Sequence, residues 1–206
     1  MELISHDLLD QSPIDPRFAF GRPSHKAPME LSTNLSPHLQ WSDFPEDTAS
    51  FALLCMDPDV PSLADDVNQE GKTISKDLPR VQFCHWAMIN LPKDCTELAT
   101  GECSHEVTIG GKSNPSGPPG AIQGLNDYTQ FMAQDPQMQG QYYGYDGPCP
   151  PWNDERLHHY VFTVYALSVE RLDLAQPFTG HQVLVAIEGL VLDTATLTGT
   201  YTLLKS

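Results

Sequence analysis

YYGYDGPCPPWNDERLHHYVFTVYAL, residues Tyr142–Leu167, changes character at its middle. Its first half carries the turn GPCPP at 147–151, where prolines fix φ and leave few backbone conformations open. From Leu157 the apolar residues fall into period 2, so a strand over 157–169 sets His158, Tyr160, Phe162, Val164 and Ala166 on one face. The segment reads as a rigid loop feeding a strand, with titratable groups at the junction. Loops positioned by a rigid scaffold are where binding and catalytic groups concentrate.

Two earlier stretches complete a sheet. Thr48–Met56, TASFALLCM, is apolar at nearly every position, the pattern of a strand buried on both faces. The prolines of Asp57-Pro58-Asp59-Val60-Pro61 are expected to end its ladder pairing and to hold two carboxylates at its exit. Strict alternation along Val81–Leu91 would put Val81, Phe83, His85, Ala87 and Ile89 on one face and Cys84, Trp86 and Met88 on the other. Elsewhere, Pro13, Pro16, Pro23 and Pro28 leave only short extended pieces such as Arg17–Phe20, and Asn34–Trp41 is a turn entering a strand. Ser62–Arg80 is a polar excursion, and Glu106–Ile109 is a short strand in an otherwise loop-like region from 93 to 140. Thr179 or Gly180 starts a helix whose apolar stripe is Val183, Leu184, Ile187, Leu190 and Val191, and Gly199–Leu204 is the last strand. Short strands parted by Gly/Pro turns, with one convincing helix, predict a single mainly β domain over 1–206. Its expected form is an antiparallel two-sheet β-sandwich of Greek-key type with a few peripheral helices, one near the C-terminus.

Charge narrows the partners. Eleven basic against 27 acidic residues give a formal charge of −16, a field that opposes nucleic acid and anionic membrane surfaces, so an anionic ligand needs a local site. No apolar run approaches the ~18 residues of a transmembrane helix, and MELISHDLLDQ lacks a basic region followed by an apolar stretch, so a cytoplasmic location is expected. The five cysteines (Cys55, Cys84, Cys95, Cys103 and Cys149) show no CxxC spacing, which signals neither a zinc site nor a disulfide framework.

The end of one antiparallel strand lies beside the start of its neighbour, so Asp57 and His158 share an edge. With His85 and Tyr160 they can hold a phosphate-like group, the imidazoles donating hydrogen bonds and Asp57 fixing a tautomer. Against this stand two plainer readings: a hydrogen-bonded core histidine for His85 and a turn-forming role for Asp57 beside Pro58. No metal or cofactor is expected. His158 and His159 point to opposite faces of a strand, and Asp65, Asp66, Asn68 and Glu70 lack the twelve-residue calcium pattern. A thiol hydrolase using Cys149 or a His/Asp pair is the competing reading, although prolines flank that thiol.

NLSPHLQW, SFALLCMDPDVP, FCHWAMINLP, YYGYDGPCPP and LHHYVFTVYAL, in this order, resemble the phosphatidylethanolamine-binding protein (PEBP) family, in particular its bacterial and archaeal branch labelled Raf-kinase-inhibitor-like. The resemblance spans about Asn34–Tyr201 and implies a two-sheet β fold whose shallow pocket accepts phosphate, phosphoryl head groups or other small anions. By motif position it assigns Asp57, His85, Pro150, Pro151, His158 and Tyr160 to ligand binding, with Asp59 and Gly147 in support. Two departures stand out. The family often has HRY where this chain has His158-His159-Tyr160, so a fixed positive charge is missing there, and 62–80 and 95–140 are longer than in compact eukaryotic members. The expected function is non-catalytic binding of a small anion or phosphorylated head group. Regulation of a kinase or another phospho-handling partner is an extension that the departure at His159 weakens, and a protein partner or a homodimer is compatible with it.

Overall fold

The computed structural model describes residues 1–205. Its strands are β1 (Glu2–Ile4), β2 (Ser12–Pro13), β3 (Gly21–Pro23), β4 (Met29–Leu31), β5 (Leu39–Ser42), β6 (Ser50–Pro61), β7 (Arg80–Pro92), β8 (Glu97–Leu98), β9 (Ile122–Gln123), β10 (His158–Leu167) and β11 (Val191–Tyr201). A single helical turn, α1 (Tyr128–Phe131), and the helix α2 (Gly180–Ala186) interrupt them. The six-stranded sheet runs β2-β11-β10-β6-β7-β9, a three-stranded sheet runs β1-β5-β8, and β3 pairs with β4. Every pairing is antiparallel except β2 with β11.

β6 shows why the large sheet has two covered faces. Phe51, Leu53 and Cys55 enter one apolar cluster, shared with Trp41 and Leu39 of the small sheet and with Phe162 and Val164 of β10. Ala52 and Leu54 enter a second cluster, capped by Val183 of α2 and by Ile187 just past its end. Both sides being apolar, each such large side chain contributes about 1.5–3 kcal/mol on burial. α2 begins where Thr179 accepts from the Gln182 amide while the Gln182 side chain reaches back to the Thr179 amide, a reciprocal cap.

Several local expectations are corrected. α2 stops at Ala186, Gly189 adopts φ +75°, and Val191 already belongs to β11, so Leu190 and Val191 extend no helical stripe. The last strand starts at Val191 rather than Gly199 and ends at Tyr201, because its alternation already buries Ala195 and Leu197. Pro16–Phe18 is a 3-10 turn, not an extended piece, since the Asp15 side chain accepts from the Arg17 amide. Glu106–Ile109 forms no strand. β6 runs on to Pro61, because Pro58 lies in an irregularity between the Asp57–Phe83 and Val60–Val81 pairs, where no ladder donor is required.

β7 departs most from simple alternation. Cys55 opposes Trp86 and Met56 opposes Cys84, so His85 is an extra residue bulged out of the ladder. The bulge reverses parity: Cys84, Ala87 and Ile89 lie on the α2 side, whereas Trp86 and Met88 lie with the other core, on the side where the His85 ring meets Tyr160. A second irregularity at Asn90, with φ +59°, restores the phase before Leu91.

Phe162→Ala should cost about 3–5 kcal/mol by opening a cavity between the sheets, and Thr179→Ala only about 1 kcal/mol by removing one cap. Urea unfolding curves for the two variants check the ranking.

Candidate functional site

The β6–β10 ladder ends at the Met56–Val161 pair, and beyond it the two strands diverge. Asp57, His158 and Tyr160 stand at this divergence, and His85 enters it from the β7 bulge. They line a cavity of about 120 Å³ together with Phe83, Tyr128, Phe131 and the Cys149-Pro150-Pro151 wall.

His85 is held by a backbone carbonyl: its Nδ1 lies 2.8 Å from the oxygen of Asp146. A carbonyl only accepts, so Nδ1 carries the proton and Nε2 is the ring's remaining polar atom. Phe83, Tyr128 and Tyr160 surround the ring at centroid distances of 4.8, 5.5 and 5.0 Å. Burial pushes the pKa of His85 down, with the nearby Asp57 charge opposing it. Asp146 is itself fixed: Asn34 Nδ2 and Lys112 Nζ donate to Oδ1 at 2.8 and 2.6 Å, and Asn126 Nδ2 to Oδ2 at 2.8 Å.

His158 is bound on both sides. Nδ1 is 2.7 Å from Asp57 Oδ2 and Nε2 is 3.2 Å from Asp154 Oδ2, with all three side chains buried. Burial alone would strip the proton from this ring, but the hydrogen bonds it donates to Asp154 and Asp57 outweigh it and raise the pKa to about 9. Asp154 is also gripped by the forked Arg80 guanidinium, Nη2 donating to Oδ1 at 3.0 Å and Nη1 to Oδ2. Burial opposes ionisation of Asp154, yet its bonds to His158 and Arg80 bring its pKa to about 2. His158 is thus an imidazolium between two carboxylates, with neither ring nitrogen left to donate to a ligand.

Asp59 supports from behind. It accepts from Arg156 Nε at 2.7 Å and from the amide and Nδ1 of His159 at 3.0 and 2.8 Å, and its own amide donates to Asp57 Oδ1 at 2.7 Å. A fixed positive charge beside Asp59 thus comes from Arg156. Gly147 is required sterically, since a Cβ there would strike the Phe18 carbonyl and the Tyr145 hydroxyl. Its own carbonyl accepts from Tyr128 Oη at 2.8 Å, which sets the aromatic wall. Among the described residues the Tyr160 hydroxyl is one of three buried side-chain polar atoms with no hydrogen-bond partner, and it alone of these belongs to a cavity-lining residue.

All six residues assigned to ligand binding from the sequence line this one cavity, while Asp59 and Gly147 lie behind it. Sequence reasoning missed Asp154, Arg80, Tyr128, Phe131 and the Asn34–Lys112–Asn126 clamp on Asp146. For Asp154, a carboxylate four residues before His158 was the available signal; Tyr128 and Phe131 lay in the region read as loop.

His158 should stay protonated in NMR titrations until about pH 9, and Asp154→Asn should lower that midpoint by about one to three units. Because the folded His158 value exceeds its ordinary 6.5, this stabilisation is complete below 6.5 and fades as pH rises through about 9. Asp154, depressed from 3.8, adds stability above 3.8 that fades as pH falls through about 2. Thermal melts across pH check both limits.

Among the described residues no helix is long and apolar enough to cross a membrane. UPF0098 protein YbhB of Escherichia coli K12 is 31% identical over 183 residues, covering 89% of this chain and 88% of that protein. The crystal structure of Escherichia coli YbcL, described as a new member of the mammalian PEBP family, matches with TM-score 0.70 and 26% identity over 98% of this chain and 97% of that one. The putative PEBP homologue CT736 of Chlamydia trachomatis matches with TM-score 0.64 and 28% identity over 97% and 95% of the two chains. The family model described as phosphatidylethanolamine-binding protein covers residues 5–202, and the chain belongs to that family.

Proposed function

We propose that the cavity binds a small oxyanion or a phosphorylated head group without turning it over. The observation that carries this reading is the buried Tyr160 hydroxyl, a donor with no protein partner among the described residues, on a side chain that lines the cavity. Burial pushes its pKa well above the ordinary tyrosine value, so it remains a donor. The His158 charge stands beside it, and Asp57, which accepts from His158 on one oxygen and from the Asp59 amide on the other, acts as the part that holds that imidazolium in place. Apolar walls from Phe83, Phe131 and Pro151 lower the local polarity, which strengthens a hydrogen bond to a charged oxygen. A lipid head group and a phosphorylated protein side chain offer the same chemistry, so regulation of a kinase or another phospho-handling partner would use this site and no second one.

A hydrolase built on Cys149 has less support. Burial pushes that thiol up to about 12, leaving it protonated, and both nitrogens of His158 are engaged elsewhere. Cys149→Ser is accordingly expected to leave binding intact, and the wild type to show no thiol-dependent turnover of ester substrates.

Titration with inorganic phosphate or phosphorylethanolamine should shift the His85 and Tyr160 ring resonances ahead of those of exposed histidines. Tyr160→Phe should weaken binding by about 1.5–3 kcal/mol, roughly ten- to a hundredfold in Kd. Shifts confined to His25 and His181, or an unchanged Kd in Tyr160→Phe, would sink the reading.

A further inference from the structure

The hydrogen-bond inventory of the cavity is lopsided in a way that specifies its ligand. Tyr160 Oη offers a proton, and its buried hydroxyl has no protein partner among the described residues. His85 offers the opposite: the Asp146 carbonyl at 2.8 Å keeps the proton on Nδ1, the Gly147 backbone lies close to the ring as well, and among the described residues no side chain bonds to Nε2, the other polar atom of this cavity-lining ring. His158 offers nothing, because Asp57 and Asp154 hold both its nitrogens. A bound molecule that meets both of these groups therefore accepts from Tyr160 and donates to His85, and the Asp57 carboxylate, which also lines the cavity, can only accept.

The charges around the cavity point the same way. Imidazolium His158 and Arg80 are matched by Asp57 and Asp154, so this cluster carries no surplus positive charge to offset a dianion. The groups facing His85 are Asp57 on β6, His158 and Tyr160 on β10, Tyr128 on α1 and the Asp146 and Gly147 backbone, while the Asp146 carboxylate is turned away to Lys112, Asn34 and Asn126. None of these is a free cation placed to pair with a second negative charge.

Resting on the oxyanion reading above, we infer that the cavity takes a phosphate or phosphate monoester as its singly protonated monoanion, the P–OH donating to His85 Nε2 and a charged oxygen accepting from Tyr160 Oη. His85 is then a selectivity residue that works as an acceptor. A dianion arriving from solution takes up one proton on binding. Sulfate, which has no acid proton near neutral pH, places a lone pair against Nε2 and is refused. Burial of His85, which lowers its own affinity for a proton, keeps the acceptor available.

Calorimetry on the full chain tests this, with inorganic phosphate, phosphorylethanolamine, sulfate and ethanolamine as probes at moderate ionic strength, each measured in two buffers of different ionisation enthalpy. The expected result is phosphate binding with uptake of about one proton above the second ionisation of the ligand. For a monoester that ionisation falls near pH ~6, and the affinity should drop about tenfold per pH unit beyond it. Sulfate should bind at least about tenfold more weakly, the loss of about 1.4 kcal/mol or more. His85→Gln, whose amide can donate, should flatten the pH slope and admit sulfate, whereas Tyr160→Phe should weaken phosphate without altering the slope; if the glutamine variant does not fold, the wild-type comparison decides alone. Sulfate binding as tightly as phosphate overturns the inference, and if it does so with proton uptake the proton sits on His85. Phosphate binding without uptake overturns it while leaving the oxyanion reading standing. Ethanolamine binding as tightly as phosphate places the donor on nitrogen and overturns it as well. No binding of either phosphate probe near pH ~5.5, where the monoanion prevails, overturns both readings together.

Discussion

The imidazolium of His158, clasped by Asp57 on one side and Asp154 on the other, is the interaction on which the site depends. It ties β6 to the entrance of β10, and through the Arg80 fork on Asp154 it ties both to the start of β7. Removing one member would leave a buried charge uncompensated, which typically costs far more than the intact cluster contributes. That asymmetry explains the density of hydrogen bonds nearby: Asp59 receives Arg156 and His159, and the Asp57 oxygen not facing His158 receives the Asp59 amide. A rigid electrostatic frame leaves Tyr160 and His85, the groups free to meet a ligand, with little need to move.

A chain with formal charge −16 must solve a second problem if it is to hold an anion. Its long-range field repels such a ligand, so whatever attraction exists must be short-ranged and protected from solvent. On the reading proposed above, that attraction comes from directional hydrogen bonds at the cavity wall, and specificity from geometry more than from electrostatic steering.

The large elements were legible because burial on two faces leaves a strong mark. β6 and β10 were found from apolar runs and period 2, and α2 from its start signal at Thr179. What could not be read were events that break the periodicity itself. The bulge at His85 and the positive φ at Asn90 each reverse parity without any glycine or proline to announce them, so strict alternation put Ala87 and Ile89 on the wrong side. The site was legible where a motif held it, at Asp57, His85, Pro150, Pro151, His158 and Tyr160. Tyr128 and the clamp on Asp146 were not, because their partners lie many positions away in loops: Asn34 and Asp146 are separated by 112 residues. Tertiary hydrogen bonds of that kind leave no local pattern.

The bulge has a broader consequence. His85 occupies a place the ladder does not need: Cys84 and Trp86 already alternate across the sheet as consecutive strand residues would, with the histidine looped between them. The ring proposed above as the recognition group is in effect an insertion into a strand that is complete without it. Function and architecture are separable at this position, so the same sheet could lose or gain its selectivity through a change of one residue in length, with no core side chain obliged to turn over.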